Sequence, residues 1–384
     1  MNSSLDFLLK FPGTSVIGYQ EIDGYISLHI KLLKASASCP NCQSYTKELH
    51  QTTWRLVRDL PTFGQPVYLK VPRSRFYCRH CQRYITEKLE FIDWRRSHTI
   101  RYEQNIYQRV LKGSLEEVSS QENLSVSEIR GIFNWVSQKQ KKKEWGNPKR
   151  LSLDEISQRK GYRSFITLLS NIDTGNLLEV VDSHKQGKII EVLKKQPFEI
   201  REQVEEVSVD MWAGFSKVIK EVFPNALVVF DRFHVMKLVN QELNKFRRQA
   251  GVKLRGSRYL LLKNLADLKE EEKEKLDQIL GQSESLRIAY EFKEEFRDIY
   301  ESSKTVKMGL RRLNKWLSQA KIFYQKAGKT IHQHLEGICN YFINRTTSGV
   351  MEGINNKAKL IIRQGYGFTN FHNLRARLLA NFSD

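Results

Sequence analysis

Between residues 151 and 231 the apolar positions gather into five short runs: SLDEIS, SFITLLSNI, LLEVVDS, EEVSVDM and ALVVFD. Their length and their Val, Ile and Leu content predict strands. KIIEVLKKQ, between the third and fourth runs, has apolar positions at helical spacing, and so does FSKVIKEVF between the fourth and fifth. The predicted order is β-β-β-α-β-α-β. From about 235 to 342 the pattern is almost wholly helical, with Lys/Glu faces such as LADLKEEEKEKLDQIL that belong in solvent.

Upstream the pattern differs. Residues 1–90 alternate short β-like runs with turns; YISLHIKLL alternates in part, and VYLKVPRSRFYC reads as a strand entering a metal-binding turn. Residues 91–137 turn helical, and 138–150 contain a basic linker, KQKKKEWGNPKR, broken by Gly and Pro. It reads as a solvated hinge, as an arm tracking DNA, or as both. The expected organisation is a β-rich domain (1–90), a helical domain (91–137), a linker (138–150) and an α/β domain (151–384).

Composition narrows the function. The 384 residues carry a net charge of +20. Neutralising phosphates with such an excess releases condensed counterions, so a nucleic acid is the expected partner. No apolar run approaches the roughly 18–20 residues that span a bilayer. MNSSLDFLLKFPG lacks the positive opening of a signal peptide. No basic amphipathic helix points to a membrane surface. The bacterial cytoplasm, beside the nucleoid, is the expected compartment.

Four of the five cysteines form two CxxC pairs, Cys39 with Cys42 and Cys78 with Cys81. Each pair sets two thiolates on one tight turn, and four sulfurs complete a tetrahedral zinc site. The expectation is one structural Zn2+ holding a small domain without a large core. Cys339 stands alone in a helical stretch and reads as buried packing. Residues 51–112 carry 13 Lys/Arg against 5 Asp/Glu, so the zinc region has a basic face suited to DNA.

SLEEVSSQENLSVSEIRGIFNWV (114–136) has the shape of a helix-turn-helix. One helix is expected from Leu115 to about Gln121, a turn at Asn123 and Leu124, and a second helix capped by Ser125. Glu128 completes a capping box. Ile129, Ile132, Phe133 and Val136 then form the buried face, while Ser127, Arg130 and Asn134 face the DNA groove. A plain helical hairpin fits the same pattern.

The candidate chemistry lies in carboxylates. Asp154 falls inside the first strand of the α/β series and Asp210 at the end of the fourth. In this order those two strands lie side by side and parallel, which brings the two acids together. Like charges held close usually share metal ions. Glu352, opening a helix in SGVMEGINNKAKLIIRQGYGF, is the best third ligand; Asn355, Asn356, Lys359 and Arg363 follow at helical intervals. Two Mg2+ (or Mn2+) ions in such a site suit phosphodiester cleavage. Each residue also has an ordinary reading. Glu155 rivals Asp154 as a ligand, Asp210 could cap a helix, and Glu352 could simply favour a helix dipole.

CPNC with FYCRHC, the helix-turn-helix, LDEIS with KGY, VDMWAGF, FPNALVVFDRFHV and MEGINNKAKLIIRQGYGF with NFHNLRARLL run in order over nearly the whole chain. In these motifs the chain resembles transposases of the ISL-three insertion-sequence family. The resemblance implies an RNase H-like α/β core, a mixed sheet flanked by helices with a large all-helical insertion at about 235–342, preceded by a zinc ribbon and helix-turn-helix. It implies DDE chemistry with catalytic Asp154, Asp210 and Glu352. Asp231 and His234, in DRFH, match the Cys/Asp-x-x-His signature of related families; Asp231 rivals Asp210 as the second ligand, and His234 orients DNA or a carboxylate.

The expected function is a transposase that binds the terminal inverted repeats of its element and cuts and joins double-stranded DNA. Lys359 and Arg363 would contact that DNA, and joining two ends implies a homodimer or larger. The alternatives are an inactive DNA-binding regulator and a metal-dependent nuclease or junction resolvase. Trp212 reads as a packed aromatic rather than a base-stacking one.

Overall fold

A computed structural model describes residues 4–140, 145–158, 164–368 and 370–382. It divides into two compact units, Met1–Lys141 and Lys142–Asp384. Residues 160–162, the KGY motif, lie outside the described residues, as do 141–144 of the linker.

The first unit is built on β1 (Thr14–Ile22), β2 (Tyr25–Leu32), β3 (Ala37–Ser38), β4 (Tyr45–Thr46), β5 (Leu49–Thr62), β6 (Gln65–Cys78) and β7 (Arg83–Thr86). The main sheet runs β1-β2-β6-β5, with β7 on the far end of β6, while β3 and β4 pair separately. The long separation between Cys42 and Cys78 is filled by the β5–β6 hairpin, two strands of 14 residues each. Phe63 and Gly64 turn it, both at positive φ (51° and 80°), as a two-residue hairpin turn requires. Val57, Val67, Leu69 and Val71 close the core beneath with Val16 and Ile30.

A short helix, Ser4–Leu9, precedes β1, and three more follow the sheet: Ile100–Lys112, Leu115–Glu122 and Val126–Gln140. The last continues through Gln140, so the linker expected from 138 begins later. A buried network ties them to β5. Arg58 donates to the Glu122 carbonyl at 2.7 Å, the Tyr102 hydroxyl donates to the Glu122 carboxylate at 2.7 Å, and Thr99 donates to Asp59 at 2.7 Å. The sheet and the helical bundle thus pack into one compact unit.

The second unit contains β8 (Arg150–Ser157), β9 (Phe165–Asn171), β10 (Leu177–Val181), β11 (Glu206–Val209) and β12 (Leu227–Phe230). Their order is β10-β9-β8-β11-β12. β8, β9 and β10 are antiparallel neighbours, and β11 runs parallel to both β8 and β12. This is the predicted strand series, with the first and fourth strands adjacent and parallel. Successive side chains alternate faces. Leu151, Leu153, Val207 and Val209 join one core with the helices Gln186–Leu193 and Ala213–Val222. Ile156, Ile166 and Leu168 join another with Met351, Ile354, Ala358, Ile361 and Leu378, from the helices Gly349–Gln364 and Phe371–Asn381.

The helical stretch begins at Arg232, directly after β12, rather than near 235. Its large aromatics, among them Trp316, Phe296, Tyr300 and Tyr324, are continuous with the first of these cores. The insertion thus shares the sheet's core and does not form a separate one. Among the described residues, no helix is long and apolar enough to cross a membrane.

Candidate functional site

The cysteines converge. The Cys39–Cys81 and Cys42–Cys78 sulfurs stand 3.9 and 3.6 Å apart, and all four lie within 4.8 Å of one another. Sulfurs about 2.3 Å from one tetrahedral zinc stand about 3.8 Å apart, so the cluster fits that ion. Hydrogen bonds from Ser44 draw the Cys42 thiol down to about 6. At Cys81 the Asn41 hydrogen bond pulls the same way, yet Cys42, burial and Cys39 together push it up to about 11. Crowded thiols cannot all ionise unaided, and a divalent cation removes that conflict. Cys339 is buried in the second unit's core, which raises its thiol to about 11.

The helix-turn-helix forms as the sequence pattern predicts. Asn123 takes the left-handed conformation (φ 52°) that ends Leu115–Glu122. The Glu128 N–H donates to the Ser125 hydroxyl at 3.2 Å, and the Ser125 N–H donates to the Glu128 carboxylate at 3.0 Å. That is a closed capping box. Ile129, Ile132, Phe133 and Val136 are buried, Ser127 is exposed, and Arg130 and Asn134 are half-buried. The helix Ile100–Lys112 packs under this pair; sequence reading had left it outside the motif.

The acids are arranged by the sheet. Ser208 of β11 is level with Ser152 of β8. Asp154 follows that pair by two residues on β8, on the face away from Leu153, and Asp210 follows it by two just beyond β11, near enough for its charge to act on Asp154. Asp210 lies just past the strand end, and its carboxylate accepts from the Trp212 N–H at 2.9 Å. The Asn355 amide donates to Asp154 at 2.6 Å. Burial raises the Asp154 carboxyl and Asp210 adds to it, against hydrogen bonds from Glu155 and Asn355 and the charge of His234. Glu155 rises to about 7, from burial and the charges of Asp210 and Asp154. Asp154, Glu155 and Asp210 thus repel one another.

Asp231 follows β12 and is 2% exposed. It accepts from the Ser348 N–H at 3.4 Å, at the start of the Gly349–Gln364 helix, and its other oxygen faces His234 Nδ1 at 3.4 Å. That oxygen is buried with no hydrogen-bond partner. Glu352 sits in the first turn of the helix, exposed, and three residues before Asn355, so the two share a side of the helix. Lys359 and Arg363 continue outward along it, both exposed. Among the described residues, only the four cysteines bring three or more potential ligand atoms within 4.8 Å of one another. The acids gather more loosely around Asp154, and hard carboxylate oxygens in that setting suit magnesium or manganese. Trp212 is 39% exposed and meets Phe215 edge-on at 5.0 Å, so its ring is open to solvent on part of its surface and less packed than expected.

Comparison with known proteins agrees with this layout. Residues 151–378 match a family model described as a transposase, that of the ISL3 DDE enzymes. Residues 35–81 match the zinc finger of the IS204/IS1001/IS1096/IS1165 transposases, and 87–134 match the helix-turn-helix domain of transposase family ISL3. The chain is 24% identical over 359 residues to the transposase for insertion sequence element IS1001 of Bordetella parapertussis, covering 89% of this chain and 88% of that one. It is 25% identical over 270 residues to the transposase for IS1557 of Mycobacterium tuberculosis, covering 61% and 60%.

Proposed function

The chain belongs to the ISL3 family of insertion-sequence transposases, and on that premise we propose that it cleaves and joins DNA at a two-metal site held by Asp154, Asp210 and Glu352 in an RNase H-like core. The reading is supported by the parallel pairing of β8 with β11, by the charge of Asp210 acting on Asp154, and by the hydrogen bond from Asn355, on the helix that carries Glu352, to Asp154. Two magnesium or manganese ions there would activate the attacking oxygen and stabilise the leaving one.

The chain's own groups prepare that site. Asn355 orients Asp154, and Asp231 anchors the first turn of the Glu352 helix, its second oxygen facing His234. Lys359 and Arg363 line the exposed flank of that helix and fit DNA phosphates. Water attacks first and leaves a 3′ hydroxyl; that hydroxyl then attacks target DNA, so one phosphodiester replaces another. Ser127, Arg130 and Asn134 read the terminal inverted repeats. Two ends held for joining call for a dimer or a larger assembly on bacterial nucleoid DNA.

The test is strand cleavage and transfer with labelled element ends and magnesium. Wild type should cut and join. Asp154→Asn, Asp210→Asn and Glu352→Gln should bind ends and do neither. If the variants still cut, the assignment is wrong. If wild type binds ends and never cuts, the chain acts as a DNA-binding regulator instead.

A further inference from the structure

Several arginines of the first unit sit in ion pairs. Arg58, Arg96, Arg101 and Arg109 each meet a carboxylate: Glu122, Glu103, Asp59 and Glu122 in turn. Arg55, Arg73 and Arg75 form no ion pair among the described residues. These three share one face of the β5–β6 ribbon. Thr53 pairs with Arg73, Arg55 with Val71, and Gln51 with Arg75. Positions two apart on a strand share a face, so Arg55, Arg73 and Arg75 stand together.

Their surroundings hold them outward. The Arg73 guanidinium lies over the Trp94 ring at 4.8 Å and Arg75 over Tyr84 at 5.5 Å. Both rings are half-exposed, at 52% and 51%. From Leu49 to Leu56 every residue of β5 is exposed. Burial and the neighbouring Arg55 both work against the Arg73 cation, and Glu87 only partly offsets them. A like-charged cluster of this kind is completed by an external anion.

We propose that this face of the β5–β6 ribbon is a second DNA-contact surface, separate from the recognition helix, on which Arg55, Arg73 and Arg75 grip duplex phosphates. The inference rests on the chain being a DNA-binding protein. Guanidinium forks match phosphate geometry, and ring stacking fixes their planes in advance. Arg73 and Arg75 are about 6.8 Å apart along the strand, the rise of about two nucleotides. Trp94 and Tyr84 already carry guanidiniums on their faces, which leaves them poor platforms for unpaired bases. That favours a duplex backbone over a single strand. Phosphate contacts position a protein without reading sequence, so this face supplies affinity and the recognition helix supplies choice.

The experiment measures binding of the full zinc-loaded chain to two duplexes across a salt series. One carries the terminal inverted repeat of its own element; the other is unrelated. Arg55→Gln/Arg73→Gln/Arg75→Gln should weaken both by a similar factor, on the order of a hundredfold, and reduce the salt slope by about 2–3. Thr53→Glu, an exposed substitution opposite Arg73, should weaken both at least about tenfold and guards against misfolding of the triple variant. Arg130→Ala/Asn134→Ala should instead erase the preference between the duplexes. Unchanged affinity and slope in both ribbon variants, with wild type binding normally, overturns the ribbon assignment alone. Failure of wild type to bind either duplex overturns the DNA-binding reading and the ribbon with it.

Discussion

The Asn355 amide donates to the Asp154 carboxylate at 2.6 Å across 201 residues of sequence. The contact joins the first strand of the second unit's sheet to the helix that carries Glu352. It also fixes one carboxylate oxygen of a group that burial and Asp210 push toward protonation. Asn355→Ala should lower cleavage about ten- to a hundredfold and raise the magnesium concentration needed for half-maximal rate. End binding should stay at the wild-type level. Unaltered magnesium dependence would remove Asn355 from the site.

Asp210 and Asp231 differ in what they hold. Asp210 acts on Asp154 through its charge, whereas Asp231 is buried against Ser348 and His234. Asp210→Asn should cost cleavage at least about a thousandfold, as loss of a direct metal ligand does. Asp231→Asn keeps an acceptor for the Ser348 N–H and should cost about ten- to a hundredfold. Single-turnover cleavage rates decide between them, and the reverse ranking would make Asp231 the ligand.

The four sulfurs belong to one closed cluster. Wild type should hold one zinc per chain, and Cys42→Ser should hold none. Structural zinc contributes about 10–16 kcal/mol of apparent binding free energy in small domains, so its loss should unfold the region around β3, β4 and β7. The unit from 142 to 384 has its own cores and should stay folded. Metal content by emission spectroscopy and limited proteolysis report the two effects. Full zinc retention in Cys42→Ser would sink the four-sulfur site.

The capping box makes a pH prediction. Hydrogen bonds from Ser125 hold the Glu128 carboxyl below its ordinary value. A depressed folded value stabilises above the unfolded one, so the contribution is complete above about pH 4.5 and fades as pH falls through the folded value. Ser125→Ala should lower stability by about 1 kcal/mol at neutral pH and flatten this acid-side dependence. Denaturant melts at pH 7 and pH 3.5 measure both. An equal loss at both values would contradict the box.

Several features were readable from residue order because they depend on local periodicity or spacing. The five strands of the second unit carry their own apolar runs. The recognition helix announces itself through Ser125, Glu128 and the stripe from Ile129 to Val136. The CxxC pairs limit the chemistry to few metals. Other features depend on groups far apart in the chain. Arg58, Tyr102 and Glu122 show nothing locally to suggest one buried network, yet they merge the sheet and the bundle into one unit. Trp94 and Arg73 stack across 4.8 Å for the same non-local reason.

The sequence by itself therefore determined the elements, the zinc ligands and which acids to consider, because patterning and ligand type are properties of short segments. Only the tertiary structure decided how those acids are used. Parallel pairing of β8 with β11 brought Asp210 within range of Asp154, burial drove Glu155 to about 7, and the Ser348 contact tied Asp231 to the Glu352 helix. Register, burial and long-range hydrogen bonds arise when distant segments pack, and no local pattern encodes them.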